Sequence, residues 1–162
     1  MPDTIVTNTS PLIALVAATG NLDILSKLYE RVIVPREVAN EIQAGGQSGF
    51  GVVEFDEAKH LFIQPELSSI QPLLLNSIDI GEAAVIQTAL NQKIMTVCID
   101  EEAGRRVARL SGLKVTGSIG ILLKAKSCGI IRSIRPCLDS MIKHGIWINE
   151  TLFEKACKIS EE

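Results

Sequence analysis

Short apolar runs alternate with longer amphipathic segments along the chain, and this alternation predicts strands that are separated by helices. β-Branched residues dominate two short runs, 4–7 and 31–34, and a third run at 93–99 predicts a buried strand. Residues 61–63 and 114–116 are candidates for two further strands. Because strands that alternate with helices form sheets covered on both faces, we predict a three-layer α/β/α fold with a mostly parallel sheet.

The helices are predicted from their periodicity and from the residues at their ends. Ser10 is interpreted as the N-cap, and Pro11 as the first residue, of a helix that ends near Gly20. The glycine-rich stretch 45–51 predicts a loop, and residues 65–77 show no clear periodicity. Further helices are predicted at 21–28, 35–44, 54–60, 79–90, 101–110, 118–127, 135–143 and 149–158.

Length and composition indicate one domain with no bulk affinity for nucleic acid. The chain has 162 residues, of which 46% are hydrophobic, and we predict a single domain over 1–162 with the last two helices, about 135–158, as a C-terminal extension. The net charge is −3, so any nucleic-acid contact would need a local basic patch or bound metal ions. Aromatic residues make up only 4%, which argues against a base-stacking module.

Cysteine usage and the start of the chain predict a cytoplasmic protein. The cysteines lack C-x-x-C spacing and only two histidines are present, which argues against a zinc site. Cys98 lies in an apolar run and is predicted to be a buried thiol. We expect no signal peptide and no membrane contact, because the longest nearly apolar run, 11–18, is too short to span a bilayer.

Polar side chains follow two predicted strands, and two acidic residues lie on nearby helices. Asn8 follows the first strand and Asp100 follows the strand at 93–99. Since the ligand crevice of a doubly wound sheet lies at the carboxyl ends of its strands, Asn8 and Asp100 should share one edge. Glu41 and Glu82 lie on helices that can face the same crevice. Such an oxygen-rich cluster suits Mg²⁺ or Mn²⁺, which can activate water and stabilise charge on a phosphate.

Four segments resemble, in order and spacing, the successive motifs of PIN domains. They are TNTSPLI at 7–13, VPREVANEI at 34–42, DIGEAAVI at 79–86 and TVCID at 96–100. The next segment, 116–126, is similar to a prokaryotic PIN-like branch of largely uncharacterised proteins. The resemblance covers about residues 4–129 and implies a PIN-like, Rossmann-like fold and an Mg²⁺- or Mn²⁺-dependent endoribonuclease. Many relatives are toxins of toxin–antitoxin pairs.

The position of each residue in these motifs implies its role. Asn8, Glu41, Glu82 and Asp100 fall at the four metal-site positions, with Glu41, Glu82 and Asp100 as catalytic residues and Glu102 as an extra acid. The first position is usually Asp in active PIN nucleases. Asn8 offers an amide oxygen without negative charge, so the metal affinity should fall. Glu82 keeps the charge of the usual Asp on a side chain one methylene longer.

Each candidate ligand also has a purely structural interpretation. Asn8 can shape a turn, and Glu41 can be an exposed helical carboxylate. Asp100 can cap the helix that follows it, and Glu82 can stabilise the N-terminus of its own helix. We interpret Asp79 as a helix cap rather than a ligand.

A basic stretch and a late aromatic pair are the remaining candidates for contacts with partners. Arg105, Arg106 and Arg109 follow Asp100 and can hold RNA phosphates, or can form a solvated face paired with neighbouring glutamates. Trp147 stands between isoleucines, and this pattern, with Phe153 nearby, indicates a core or a subunit interface rather than base stacking.

Three functions are compatible with the sequence. The first is a metal-dependent endoribonuclease that acts on an RNA substrate and is a candidate toxin bound by a small antitoxin. The second is a catalytically weakened PIN-like protein that binds RNA or a protein partner. The third is a nucleotide-binding protein, which predicts a glycine-rich turn after the first strand that residues 8–11 do not supply. Because relatives pair through helical faces, we expect a homodimer.

Overall fold

A central parallel sheet organises the computed structural model, which describes residues 3–45 and 48–162. The strands are β1 (Thr4–Thr7), β2 (Arg31–Val34), β3 (Leu61–Ile63), β4 (Thr96–Cys98) and β5 (Lys114–Thr116). Their order across the sheet is β3-β2-β1-β4-β5, and each neighbouring pair is parallel. The predicted strands are confirmed, although β4 is shorter than the predicted run at 93–99.

Helices surround the sheet and make up most of the remaining chain. They are α1 (Thr9–Thr19), α2 (Asp23–Leu28), α3 (Arg36–Ala44), α4 (Val52–Glu57), α5 (Pro72–Ser77), α6 (Ile80–Gln92), α7 (Glu102–Leu110), α8 (Ser118–Ser127), α9 (Arg135–Lys143) and α10 (Glu150–Ile159). α5 lies in the segment that showed no clear periodicity. Residues 46 and 47 of the predicted glycine-rich loop, and residues 1 and 2 at the start of the chain, lie outside the described residues.

The sheet is buried on both faces, which confirms the predicted three-layer fold. In β1, the consecutive residues Ile5, Val6 and Thr7 are each at most 1% exposed, although successive side chains of a strand point to opposite faces. α1 packs with α9, α8 and α3, and α6 packs with α3, α5 and α7. Cys98 in β4 is fully buried, as predicted. Within the described residues, no helix is long and apolar enough to cross a membrane.

The prediction that Ser10 caps α1 is wrong. α1 begins at Thr9, and Asn8 occupies the N-cap position without a capping hydrogen bond from its side chain. Pro11 lies in the first turn, where its missing N–H would have no partner within the helix. The side chain of Asn8 is therefore not used to satisfy the backbone of α1.

The sheet has a topological switch point between β1 and β4. The chain moves outward from β1 through β2 to β3, and then crosses to the other side of β1 to form β4 and β5. Thr7 pairs with Cys98, and the N–H of Asn8 donates to the carbonyl of Cys98 at 3.0 Å. Asn8 and Asp100 therefore lie at one edge, where a crevice opens in folds of this type.

The segment after α8 is tied to the rest of the fold. Ser140 Oγ in α9 donates to the carbonyl of Ala17 at 2.6 Å, and Leu138 is fully buried. The carboxylate of Glu162 accepts hydrogen bonds from Lys126 Nζ at 2.9 Å and from the N–H of Ile134 at 2.8 Å. Partial burial alone would raise the pKa of Glu162, but its hydrogen-bond donors hold that pKa well below its ordinary value.

Candidate functional site

The first turn of α6 carries two carboxylates that hold each other in place. Asp79 Oδ1 accepts from the N–H of Glu82 at 2.8 Å, and Glu82 Oε1 accepts from the N–H of Asp79 at 3.4 Å. These reciprocal contacts form a capping box, so both residues do stabilise the N-terminus of α6. The box uses only one oxygen of Glu82.

Two buried oxygens at this place have no hydrogen-bond partner among the described residues. They are Glu82 Oε2 and Asn8 Oδ1, and the two residues are 3% and 4% exposed. An unpaired buried oxygen costs about 1–3 kcal/mol, and buried polar groups are paired in the great majority of cases. Because both atoms are acceptors, they suit a cation.

Two glycines leave space for the oxygens. A Cβ atom at Gly81 would lie 3.0 Å from Asn8 Oδ1, 3.1 Å from Glu41 Oε2 and 3.5 Å from Asp79 Oδ1. A Cβ atom at Gly104 would collide with Glu82 Oε2. Side-chain oxygens of Asn8 after β1, Glu41 on α3 and Asp79 at the N-cap of α6 therefore converge on a cradle that a methyl group would fill.

Glu101 completes a group of three carboxylates. One oxygen each from Asp79, Glu82 and Glu101 lies within 4.8 Å of the other two. Glu101 is the N-cap residue of α7 and is exposed, while Glu82 is buried. Glu101 was not predicted from the sequence, and Asp79 was predicted only as a cap. The available signal was the three-residue spacing of Asp79 and Glu82, which places both carboxylates on one face of the first turn.

The neighbouring carboxylates raise the proton affinity of Glu82, the buried member of the group. Burial, together with the negative charges of Asp79 and Glu101, raises the pKa of Glu82 from 4.5 to about 7. The carboxylate of Glu82 is thus destabilised as an anion in the protein alone. A bound cation would offset this repulsion and favour the ionised form.

Glu41 and Glu37 lie one turn apart on α3 and have different surroundings. Glu37 is 7% exposed, and its carboxylate accepts from the N–H of Ser68 at 2.7 Å and from Ser68 Oγ at 3.1 Å. Glu37 therefore fixes the segment between β3 and α5. Glu41 is exposed, but its Oε2 atom reaches the oxygens above Gly81. Of the two acids, Glu41 is the one whose carboxylate lies beside the oxygens of Asn8 and Asp79.

Asp100 lies at the predicted edge of the sheet, but its carboxylate is hydrogen-bonded to the first residue of α8. Its Oδ1 accepts from the N–H of Ser118 at 2.7 Å, and its Oδ2 accepts from Ser118 Oγ at 2.9 Å. A Cβ atom at Gly117 would lie 2.5 Å from Asp100 Oδ1, so this glycine permits the contact. Burial raises the pKa of Asp100, against the lowering effect of Ser118 and Arg105. Asp100 thus binds the N-terminus of α8, whereas the helix that follows it has Glu101 as its N-cap residue.

The predicted basic stretch and Glu102 lie on α7. Glu102 is exposed, and its carboxylate lies 4.0 Å from Arg109 Nη1. Arg105 Nη1 donates to the carbonyl of Ile99 at 2.8 Å, and Arg106 is exposed. Arg109 therefore matches the second interpretation of the basic stretch, a solvated arginine that is paired with a neighbouring glutamate. An exposed pair of this kind contributes at most about 1 kcal/mol, so Arg109 can exchange its partner at little cost.

A cleft of about 820 Å³ adjoins the carboxylates. Its polar wall includes Asp100, Glu101, Arg105 and Arg109, and its apolar wall includes Trp147 and Leu152. Trp147 is 82% exposed, which excludes the core for this residue, while the subunit interface that was predicted as the alternative stays a prediction. Its neighbours Ile146, Ile148 and Phe153 are partly buried against the core, which leaves the indole ring at the cleft wall.

Comparison with known proteins identifies one family. The family model of the PIN domain matches residues 4–162. No curated protein and no solved structure gives a significant match.

Proposed function

The chain belongs to the PIN domain family, and we propose on this basis that it is a metal-dependent endoribonuclease. The family is of nuclease type, and its members generally use divalent metal ions. The observation that carries the proposal is the pair of unpartnered buried oxygens, Asn8 Oδ1 and Glu82 Oε2, beside the carboxylates of Asp79 and Glu101. These oxygens fit a hard divalent cation, which prefers carboxylate and amide oxygens.

We assign the metal site to the oxygens around Gly81 and Gly104. Asn8, Glu41 and Glu82 would hold Mg²⁺ or Mn²⁺, with Glu41 and Glu82 as the catalytic carboxylates. Bound there, the ion would supply Lewis-acid stabilisation of the phosphate and lower the pKa of a water. We retain Asp100 and Glu102 as proposed metal-site residues, and Asp100 also as a proposed catalytic residue. For Asp100 to bind the metal, its Oδ2 atom has to give up the hydrogen bond from Ser118 Oγ.

The cleft beside the carboxylates is the proposed path of the RNA. Arg109 and Arg105 line it, and Arg106 lies on the same helix. Guanidinium groups bind phosphates well, and the weak pairing of Arg109 with Glu102 leaves Arg109 available for this role. Trp147 offers an exposed ring on which an unpaired base can stack. The substrate that fits these features is single-stranded RNA.

Single-stranded RNA should quench the tryptophan fluorescence of the protein. Trp147 is the only tryptophan, so the signal reports directly on the cleft. Replacing Trp147 by alanine should weaken RNA binding about tenfold, because stacking contributes about 1–3 kcal/mol per base. Leu110→Ala is a suitable control for binding affinity, since Leu110 is also 82% exposed. Unchanged fluorescence at saturating RNA, with unchanged affinity of Trp147→Ala, would exclude the cleft as the binding path.

A cleavage assay tests the proposed activity. The protein is incubated with a fluorogenic single-stranded RNA and Mn²⁺, and parallel reactions contain EDTA. We expect cleavage in Mn²⁺ alone. Intact RNA in both reactions would contradict the proposal and favour the second candidate, a catalytically weakened protein that binds RNA or a protein partner. The neutral side chain of Asn8 at the position usually held by Asp is the observation that favours this alternative.

We extend the proposal to the biological context of the protein. A ribonuclease of this kind would act in the cytoplasm as the toxin of a toxin–antitoxin pair, and a small antitoxin would bind it. A homodimer remains part of this proposal, supported by exposed apolar side chains on the helical surface, among them Leu73 and Ile80.

A further inference from the structure

We propose that Asp79 is a metal ligand and supplies the negative charge that Asn8 lacks. This inference rests on the proposed function, since it concerns the same metal site. In the sequence alone, Asp79 is explained fully by its role as the cap of α6. The structure places its carboxylate among the oxygens of the site.

The position of Asp79 links the two parts of the oxygen cluster. Its Oδ1 atom and Asn8 Oδ1 lie 3.5 Å and 3.0 Å from the same point above Gly81. One of its oxygens also lies within 4.8 Å of oxygens from Glu82 and Glu101. A carboxylate at this place therefore adds its charge beside the amide oxygen that stands at the first metal-site position.

The capping role leaves the carboxylate free to bind a cation as well. The box requires only that Asp79 Oδ1 accept from the N–H of Glu82. A carboxylate has about four acceptor sites on two oxygens, so further capacity remains. Asp79 is also exposed, so a metal ion can reach its carboxylate directly from solvent.

The buried neighbours show that the cluster is more than a helix end. A cap needs no unpartnered oxygens, yet Glu82 Oε2 and Asn8 Oδ1 are both buried beside it, and neither has a hydrogen-bond partner in the part of the chain that the structure describes. With Asn8 neutral, the oxygens around the cradle belong to one amide and to the carboxylates of Glu41, Asp79, Glu82 and Glu101. The negative charge that Asn8 lacks is thus present on Asp79, the N-cap residue of α6.

A charge-relocation experiment tests the inference by Mn²⁺ binding, measured by calorimetry. The proteins are wild type, Asp79→Asn, Asn8→Asp and the double variant. Asparagine caps helices as well as aspartate does, so Asp79→Asn should keep α6 intact. Asp3→Asn is the matched control, because Asp3 precedes β1 and lies at the opposite edge of the sheet.

We expect Asp79→Asn to weaken Mn²⁺ binding about tenfold or more. Adding Asn8→Asp to that variant should restore most of the affinity, and Asp3→Asn should bind as wild type does. Equal affinity of wild type and Asp79→Asn would overturn the inference while leaving the metal site itself intact. A double variant as weak as Asp79→Asn would also overturn it. If wild type binds no Mn²⁺, the proposed metal site is wrong, and so is the role of Asp79 in it.

Discussion

Replacing Glu82 by glutamine is expected to reduce metal-dependent RNA cleavage by about 10²–10³-fold, since it removes one of the charges that would hold the metal. Glutamine keeps the size of the side chain and can still accept the N–H of Asp79 through its amide oxygen. The fold should therefore persist. Loss of activity would then report on the charge of Glu82 rather than on the integrity of α6.

The same variant should be more stable than wild type in the absence of metal above pH 7. The folded protein raises the pKa of Glu82 to about 7, so the folded state binds its proton more tightly than the unfolded chain does. This contribution to the free energy of unfolding is fully present below pH 4.5 and is lost as the pH rises through 7. Glutamine cannot ionise, so the variant avoids the loss and should gain about 1–2 kcal/mol at pH 8.

Urea unfolding at pH 5 and pH 8, with EDTA present, measures this difference. The control Glu30→Gln removes a carboxylate that lies just before β2, at the opposite edge of the sheet. It should change neither cleavage nor the pH dependence of stability. A Glu82→Gln protein that cleaves RNA at the wild-type rate would contradict the assignment of Glu82.

Gly104→Ala should disable the site by displacing Glu82. The added methyl group would occupy space taken by Glu82 Oε2 and would lie 3.0 Å from Ile99 Cγ2. Because both Gly104 and Glu82 are buried, the carboxylate has little room to move aside. We expect Mn²⁺ binding to weaken about tenfold or more, and the free energy of unfolding to fall by about 1–3 kcal/mol.

Gly120→Ala separates crowding from loss of the metal site. Gly120 is also helical, and a Cβ atom there would lie 2.5 Å from Thr116 Oγ1 rather than from a carboxylate. Its variant should lose stability but keep Mn²⁺ affinity. Equal Mn²⁺ affinity of Gly104→Ala and wild type would show that the position of Glu82 Oε2 does not matter for binding.

The fold and the edge of the sheet that carries the site could be predicted from local sequence. β-Branched runs identify β1 and β2, and polar residues directly after a strand lie at its carboxyl end whatever the details of packing. Asn8 was therefore placed correctly, and so was Asp100. α5 could not be predicted, since most of its surface is exposed and its segment lacks an amphipathic period.

The contacts of the site residues depend on long-range packing that periodicity does not contain. Asp100 binds Ser118, eighteen residues later, because β4 and β5 are neighbours and α8 starts where β5 ends. Glu101, rather than Glu102, reaches the carboxylates because it stands before the first turn of α7. The sequence could not decide whether Trp147 is buried or exposed, because an aromatic residue between two isoleucines has the same local pattern in a core and at a cleft wall.

The most direct test of the metal site is a crystal structure with Mn²⁺, in which anomalous scattering locates the ion. We predict one strong peak within about 2.5 Å of Glu82 Oε2. The next nearest oxygens should be those of Asn8, Glu41 and Asp79. A peak bound to Asp100 and Glu102 but remote from Glu82, or no peak at saturating Mn²⁺, would contradict the account.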